Sequence, residues 1–268
     1  MVTGVGVLPA VGRAVTCAPE VSVVRADSHP RHRRDPAMTY LTHLTAPLTA
    51  LSRDAEAGAL RAVVATFGVI VAIAGAEHGV GEILEGPIAP SGVVIESWPD
   101  TRAFEILSGE PTMTIVPNLL VSGVLTITIS IVFATWAVGY AHRPRGGLVL
   151  AGLSVVLLLV GGGFAPPLIG LILGLAATRI GVPSAVPGRI TRRFARVWRW
   201  ALGAGVVGYL GLFPGMVLAS AAFGIESEAL VGLLALLAFG GLLGSLVAAR
   251  AHDRVVADSV IRGETRLR

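Results

Sequence analysis

"GLVLAGLSVVLLLVGGGFAPPLIGLILGLAAT", Gly147 to Thr178, contains no charged residue. It exceeds the roughly 20 residues that one helix needs to cross a hydrocarbon core. Its middle, Gly161 to Pro167, reads GGGFAPP. The stretch is therefore either one long broken helix or two short helices joined by a tight turn, and the flanking charges decide between them. Arg143 and Arg145 precede it; Arg179, Arg189, Arg192, Arg193, Arg196 and Arg199 follow it. Loops on the cytoplasmic side are enriched in basic residues, so both flanks belong on one side and the stretch crosses twice. Glycine allows positive φ and Pro-Pro breaks a helix, which is what a turn at that point requires.

Working outward, apolar runs at 61–82, 115–139, 147–162, 165–179, 200–222 and 229–249 predict the spans. With Arg53 and Arg61 inside, the acidic 83–114 loop and "GIESE" (Gly224 to Glu228) fall outside, and Arg250 to Arg268 falls inside. Only Arg102 is left on the outer side. Trp136, Tyr140, Trp198 and Trp200 sit at the inner ends of their spans, where amphipathic rings settle. The predicted fold is an all-α polytopic membrane bundle of about six transmembrane helices. Its two middle spans are short or re-entrant, and both termini are cytoplasmic.

Composition agrees. Of 268 residues 53% are hydrophobic and 14% charged, with a mean hydropathy of +0.76; soluble domains carry about 25% charged residues. All 21 basic residues are arginine, a bias expected of a GC-rich genome and carrying no functional weight. Because the arginines lie between apolar runs, the basic balance points to a membrane and not to nucleic acid. Cys17 stands alone, which excludes a disulfide framework within the chain and a cysteine-rich metal cluster. Residues 1–37 read as a disordered arm or as an over-extended gene start with initiation at Met38. Residues 38–60 form a cytoplasmic segment, 61–249 the bundle with its external loop 83–114 and basic loop 179–199, and 250–268 a cytoplasmic tail. Gly75/Gly79, Gly170/Gly174, Gly211/Gly215 and Gly240/Gly244 recur four apart, as close helix packing favours.

The ionisable residues gather in "AGAEHGVGEILEG", Ala74 to Gly86. On a helix His78, Glu82 and Glu85 share a face while Glu77 points about 100° away from His78. Ionisable groups at the end of a span face the bundle interior or water and are functional hypotheses by default. Asn118, Ser122, Thr126 and Ser130 add a polar stripe at steps of four on the second span. The expected site is thus an outward-facing polar pocket of His78, Glu82, Glu85, Asn118 and Ser122, beneath a short helix at 97–108 that begins at a Ser97 cap. A bundle whose polar residues only join helices, or whose helix end is merely solvated, would show the same pattern.

No cofactor or metal is assigned. The other histidines, His29, His32, His43, His142 and His252, are all predicted cytoplasmic, so further ligands beside His78 would have to be carboxylates: Glu96, Asp100, Glu105, Glu110 or Glu228. There is no HExxH, no G-x-S-x-G, no Rossmann unit, and without lysine no P-loop. The partners implied are the bilayer of a bacterial plasma membrane and anionic lipid at Arg189, Arg192, Arg193, Arg196 and Arg199 on an amphipathic segment. The expected function is a small carrier or ligand-binding membrane protein. Its rivals are a membrane-embedded, metal-assisted enzyme and a non-catalytic accessory subunit.

Overall fold

The structure, a computed structural model, describes residues 58–99, 109–182, 189–225 and 227–266. The N-terminal arm and most of the expected 97–108 helix, Arg102 included, lie outside the described residues.

Helix α1, Ala59–Glu85, is the central element and packs against α2, α4 and α8, defined below. Leu60, Val63, Val64, Phe67 and Val71, each 2% exposed or less, recur every three or four residues and turn one face into the core. Its first N–H groups are satisfied from across the bundle: the Asp253 carboxylate accepts from Ala59 N at 2.7 Å and Leu60 N at 3.1 Å. Beyond α1 the chain forms a short antiparallel ribbon of β1, Val94–Glu96, and β2, Pro111–Met113, with Ile95 opposite Thr112. Ser97 N to Glu110 O and Trp98 N to Gly109 O, both 3.2 Å, prolong it. Three-residue strands leave no periodicity to read, so the sequence gives no sign of this ribbon.

Helix α2, Leu119–Gly139, starts at Asn118, whose side chain accepts from Val121 N at 3.1 Å. Helices α3, Gly146–Leu159, and α4, Ala165–Ala177, pack together as a hairpin around the Gly161–Gly163 turn, which lies beside His78 and Glu82 near the C-terminal end of α1. Helix α5, Arg189–Phe194, is followed after a short turn by α6, Trp198–Leu210. A π-helical turn, Gly211–Gly215, accommodates Pro214 and leads into α7, Met216–Phe223. Helix α8, Glu228–Arg266, completes the order.

Among the described residues, four helical stretches are long and apolar enough to cross a membrane: Ala59–Glu85, Leu119–Gly139, Trp198–Phe223 and Glu228–Ser259. Helices α3 and α4, with 14 and 13 residues, reach only about 20 Å each at 1.5 Å per residue. Small residues bring the helices together, as expected, but not at every expected pair. A side chain at Gly79 or Gly123 would strike the backbone of the other's helix, and Gly174 backs onto Ala151. On the far side the close approach is Gly205 against Gly241, while Gly240 and Gly244 have space around them. At the end opposite the ribbon, Arg250 donates to the Arg179 carbonyl and Arg192 pairs with Asp258 at 3.5 Å.

Candidate functional site

The last turns of α1 present ionisable groups in two directions, and each meets a different neighbour. Toward the ribbon, Glu77 and His78 meet Glu110, and one ligand-type atom from each lies within 4.8 Å of the others. His78 is 5% exposed. Its Nδ1 is 2.8 Å from Ser97 Oγ, and its Nε2 is 3.4 Å from Glu110 Oε2. Glu110 sits at φ 51°, a left-handed conformation costly for a non-glycine residue, directly after Gly109 at φ 66°. The ribbon ladder through Ser97 holds Glu110 there. Burial pushes the Glu110 carboxyl above the ordinary carboxylate range, and a hydrogen bond with Glu77 draws it part of the way back.

These three groups close one end of a cavity of about 320 Å³ between α1 and the α6–π–α7 segment. The remaining lining is apolar apart from the Tyr209 hydroxyl, and includes Ile70, Ala74, Pro166, Phe213 and Val217. The π turn presents Phe213 and Pro214 to the cavity. Tyr209 is 4% exposed, and its hydroxyl has no hydrogen-bond partner among the described residues. Ile73, Leu210 and Leu218 on the rim are half-exposed or more, so the cavity opens sideways through an apolar edge.

The second direction is sealed. Glu82 is fully buried beside Ser122, and neither carboxyl oxygen has a hydrogen-bond partner among the described residues. Ser122 Oγ and Thr126 Oγ1 instead donate to the Val160 carbonyl at 2.7 and 2.5 Å, and Thr114 Oγ1 is 2.6 Å from Ser122 Oγ. The glycine turn covers both directions. A Cβ at Gly161 would collide with the Glu82 carboxylate, and one at Gly163 would collide with the His78 ring. Both glycines have positive φ, 110° and 76°, and Gly163 N donates to Thr112 Oγ1 at 2.9 Å.

Of the five residues expected to share one pocket, only His78 lines the cavity. Glu82 and Ser122 are neighbours in the sealed region, Asn118 caps α2, and Glu85 is exposed at the end of α1. Glu77, which helical geometry had separated from His78, joins it because Glu110 enters between their adjacent directions. No helical spacing signals that meeting, since Glu110 comes from the ribbon 32 residues along the chain. The stripe of hydroxyls mostly joins elements together: Ser122 and Thr126 bind the carbonyl before the turn, and Ser130 lies against Gly75. No family model, curated protein or solved structure matches the chain.

Proposed function

We propose that the chain is a multi-pass plasma-membrane protein that binds, and as a small carrier conducts, an amphiphilic ligand entering from the lipid. The single observation behind this reading is the cavity itself. It has an apolar body, an apolar edge left open at the side, and Glu77, His78 and Glu110 together at one end. A volume of about 320 Å³ falls in the range of small-molecule pockets, and a few convergent polar groups on an apolar wall are how such pockets fix orientation. The matching ligand has an aliphatic body and one polar head. The pocket expected from sequence was polar throughout; the proposed one is polar only at its end.

Six passages are part of the same reading, with the α3–α4 hairpin crossing twice and its turn on the outer side. Its support is that the glycine turn packs on His78 and Glu82, while Gly147 at the start of α3 packs on Gly174 and Thr178 near the end of α4. Arginine at the opposite end of the bundle supports an outer position for the ribbon.

The test uses protein in lipid nanodiscs and 1-dodecanol, whose hydroxyl can meet the polar end. Saturable retention near one molecule per chain is expected, reduced at least tenfold by Val217→Trp, which fills the cavity from α7. Retention that never saturates, or that Val217→Trp leaves unchanged, rejects the reading.

A further inference from the structure

The polar end of the cavity has a composition that the binding of an aliphatic body does not require. Two carboxylates and an imidazole converge within 4.8 Å, His78 and Glu110 buried and Glu77 partly so, and no arginine lines the cavity among the described residues. Buried negative groups need a compensating partner. Two carboxyl groups held this close repel each other when both are charged; a divalent cation between them removes that repulsion.

We propose that Glu77, His78 and Glu110 hold a divalent metal ion of the zinc class, with an open coordination position facing the cavity. The proposal rests on the cavity being a ligand site and gives its polar end a chemistry. The donor set of one imidazole nitrogen and two carboxylate oxygens suits zinc, and three protein ligands with one open position is the arrangement of exchangeable zinc sites. Calcium takes six to eight oxygen ligands, and magnesium avoids nitrogen donors.

Three further features fit a metal. The contact of His78 Nδ1 with Ser97 Oγ at 2.8 Å is the outer hydrogen bond that metal-bound histidines make: with Nδ1–H donating, the Nε2 lone pair is left for the ion. Nε2 is also the nitrogen nearer Glu110, 3.4 Å from its Oε2. Glu77 Oε1 is buried without a hydrogen-bond partner among the described residues. Most telling is Tyr209, which lines the same cavity from the facing wall, nine-tenths buried, its hydroxyl without a hydrogen-bond partner among the described residues. A water or ligand head in the open position would supply the partner that Tyr209 lacks. The ligand head that fits is a hydroxyl or carboxylate able to coordinate zinc.

The full chain, purified in detergent, stripped with chelator and dialysed against zinc chloride, is expected to retain close to one zinc per chain by elemental mass spectrometry. With cobalt(II) chloride it should show the visible absorption of a four- or five-coordinate ion. His78→Ala, Glu77→Gln and Glu110→Gln should each weaken zinc binding at least 100-fold, and Ser97→Ala 10- to 100-fold. Helical circular dichroism and a monodisperse elution profile identify any variant that fails to fold, and Glu→Gln keeps the shape of the site. Zinc below one ion per ten chains in folded wild-type protein overturns the proposal, as does unchanged zinc affinity in folded Glu77→Gln and Glu110→Gln. Val217→Trp separates the two readings, because it should cut 1-dodecanol retention at least tenfold and keep zinc. Retention of 1-dodecanol without zinc defeats the metal alone, whereas zinc without 1-dodecanol defeats the amphiphile pocket alone.

Discussion

Glu77 and Glu82 lie five residues apart on α1, both drawn into the protein, and they differ in what stands in front of them. Glu77 opens onto a cavity and shares its end with a histidine and a second carboxylate. Glu82 is closed in by Ser122 and the Gly161 turn, and its carboxyl oxygens have no hydrogen-bond partner among the described residues. Burial alone therefore does not make a site. A carboxylate with room in front of it can meet a ligand, whereas a sealed one can only cost or contribute stability. The glycine turn enforces the difference by closing over Glu82 while its other end packs against the His78 ring at Nε2.

The largest effect should come from breaking that turn. Gly161→Ala and Gly163→Ala each place a Cβ in a positive-φ conformation and drive it into Glu82 or His78. Strain and collision together should cost about 3 kcal/mol or more, seen as a fall in the thermal unfolding temperature in detergent. The pair Gly161→Ala with Glu82→Ala sharpens the test, since it removes the collision and leaves the strain. Part of the lost stability should return in that double variant and none in Gly163→Ala with Glu82→Ala. Equal recovery in both would mean that Glu82 is not what the turn encloses.

A second test compares the two carboxylates directly. Glu82→Gln keeps the shape and replaces an unpaired carboxyl by an amide that can donate to Ser122, so thermal stability should hold or rise by about 1 kcal/mol. Glu77→Gln should leave stability within about 0.5 kcal/mol and remove zinc. If Glu82→Gln also removes zinc, the sealed and open regions are not separate and the comparison fails.

The extent of each apolar run and the break at GGGFAPP were legible because hydropathy and helix-breaking residues act locally. The first five stretches end within a few residues of the expected spans, whereas α8 continues to Arg266, well past the expected end at 249; Pro214 lies in a π turn. The pairing of Glu77 with His78 was not legible. Helical geometry separates neighbouring residues by about 100°, and only a third group arriving between them reunites the two. That group, Glu110, is placed by a ribbon of three-residue strands too short to leave a pattern. The hydroxyl stripe at 122, 126 and 130 was legible as a face, but not whether that face meets a cavity or a carbonyl. Which occurs depends on the Val160 carbonyl at the end of α3.

That carbonyl supplies the smallest effect. Val160 O accepts from both Ser122 Oγ and Thr126 Oγ1, so either hydroxyl can satisfy it when the other is gone. Ser122→Ala or Thr126→Val alone should cost only about 0.6 kcal/mol, the usual value of one such bond between membrane helices. Removing both leaves the carbonyl unpaired beside Glu82, and an unsatisfied buried acceptor costs about 1–3 kcal/mol. The double variant should therefore lose more than the sum of the singles in a double-mutant cycle of unfolding free energies. Strict additivity would show that the two hydroxyls do not share one acceptor. The sealed region would then be wetter than its geometry implies, and its contrast with the open cavity would weaken accordingly.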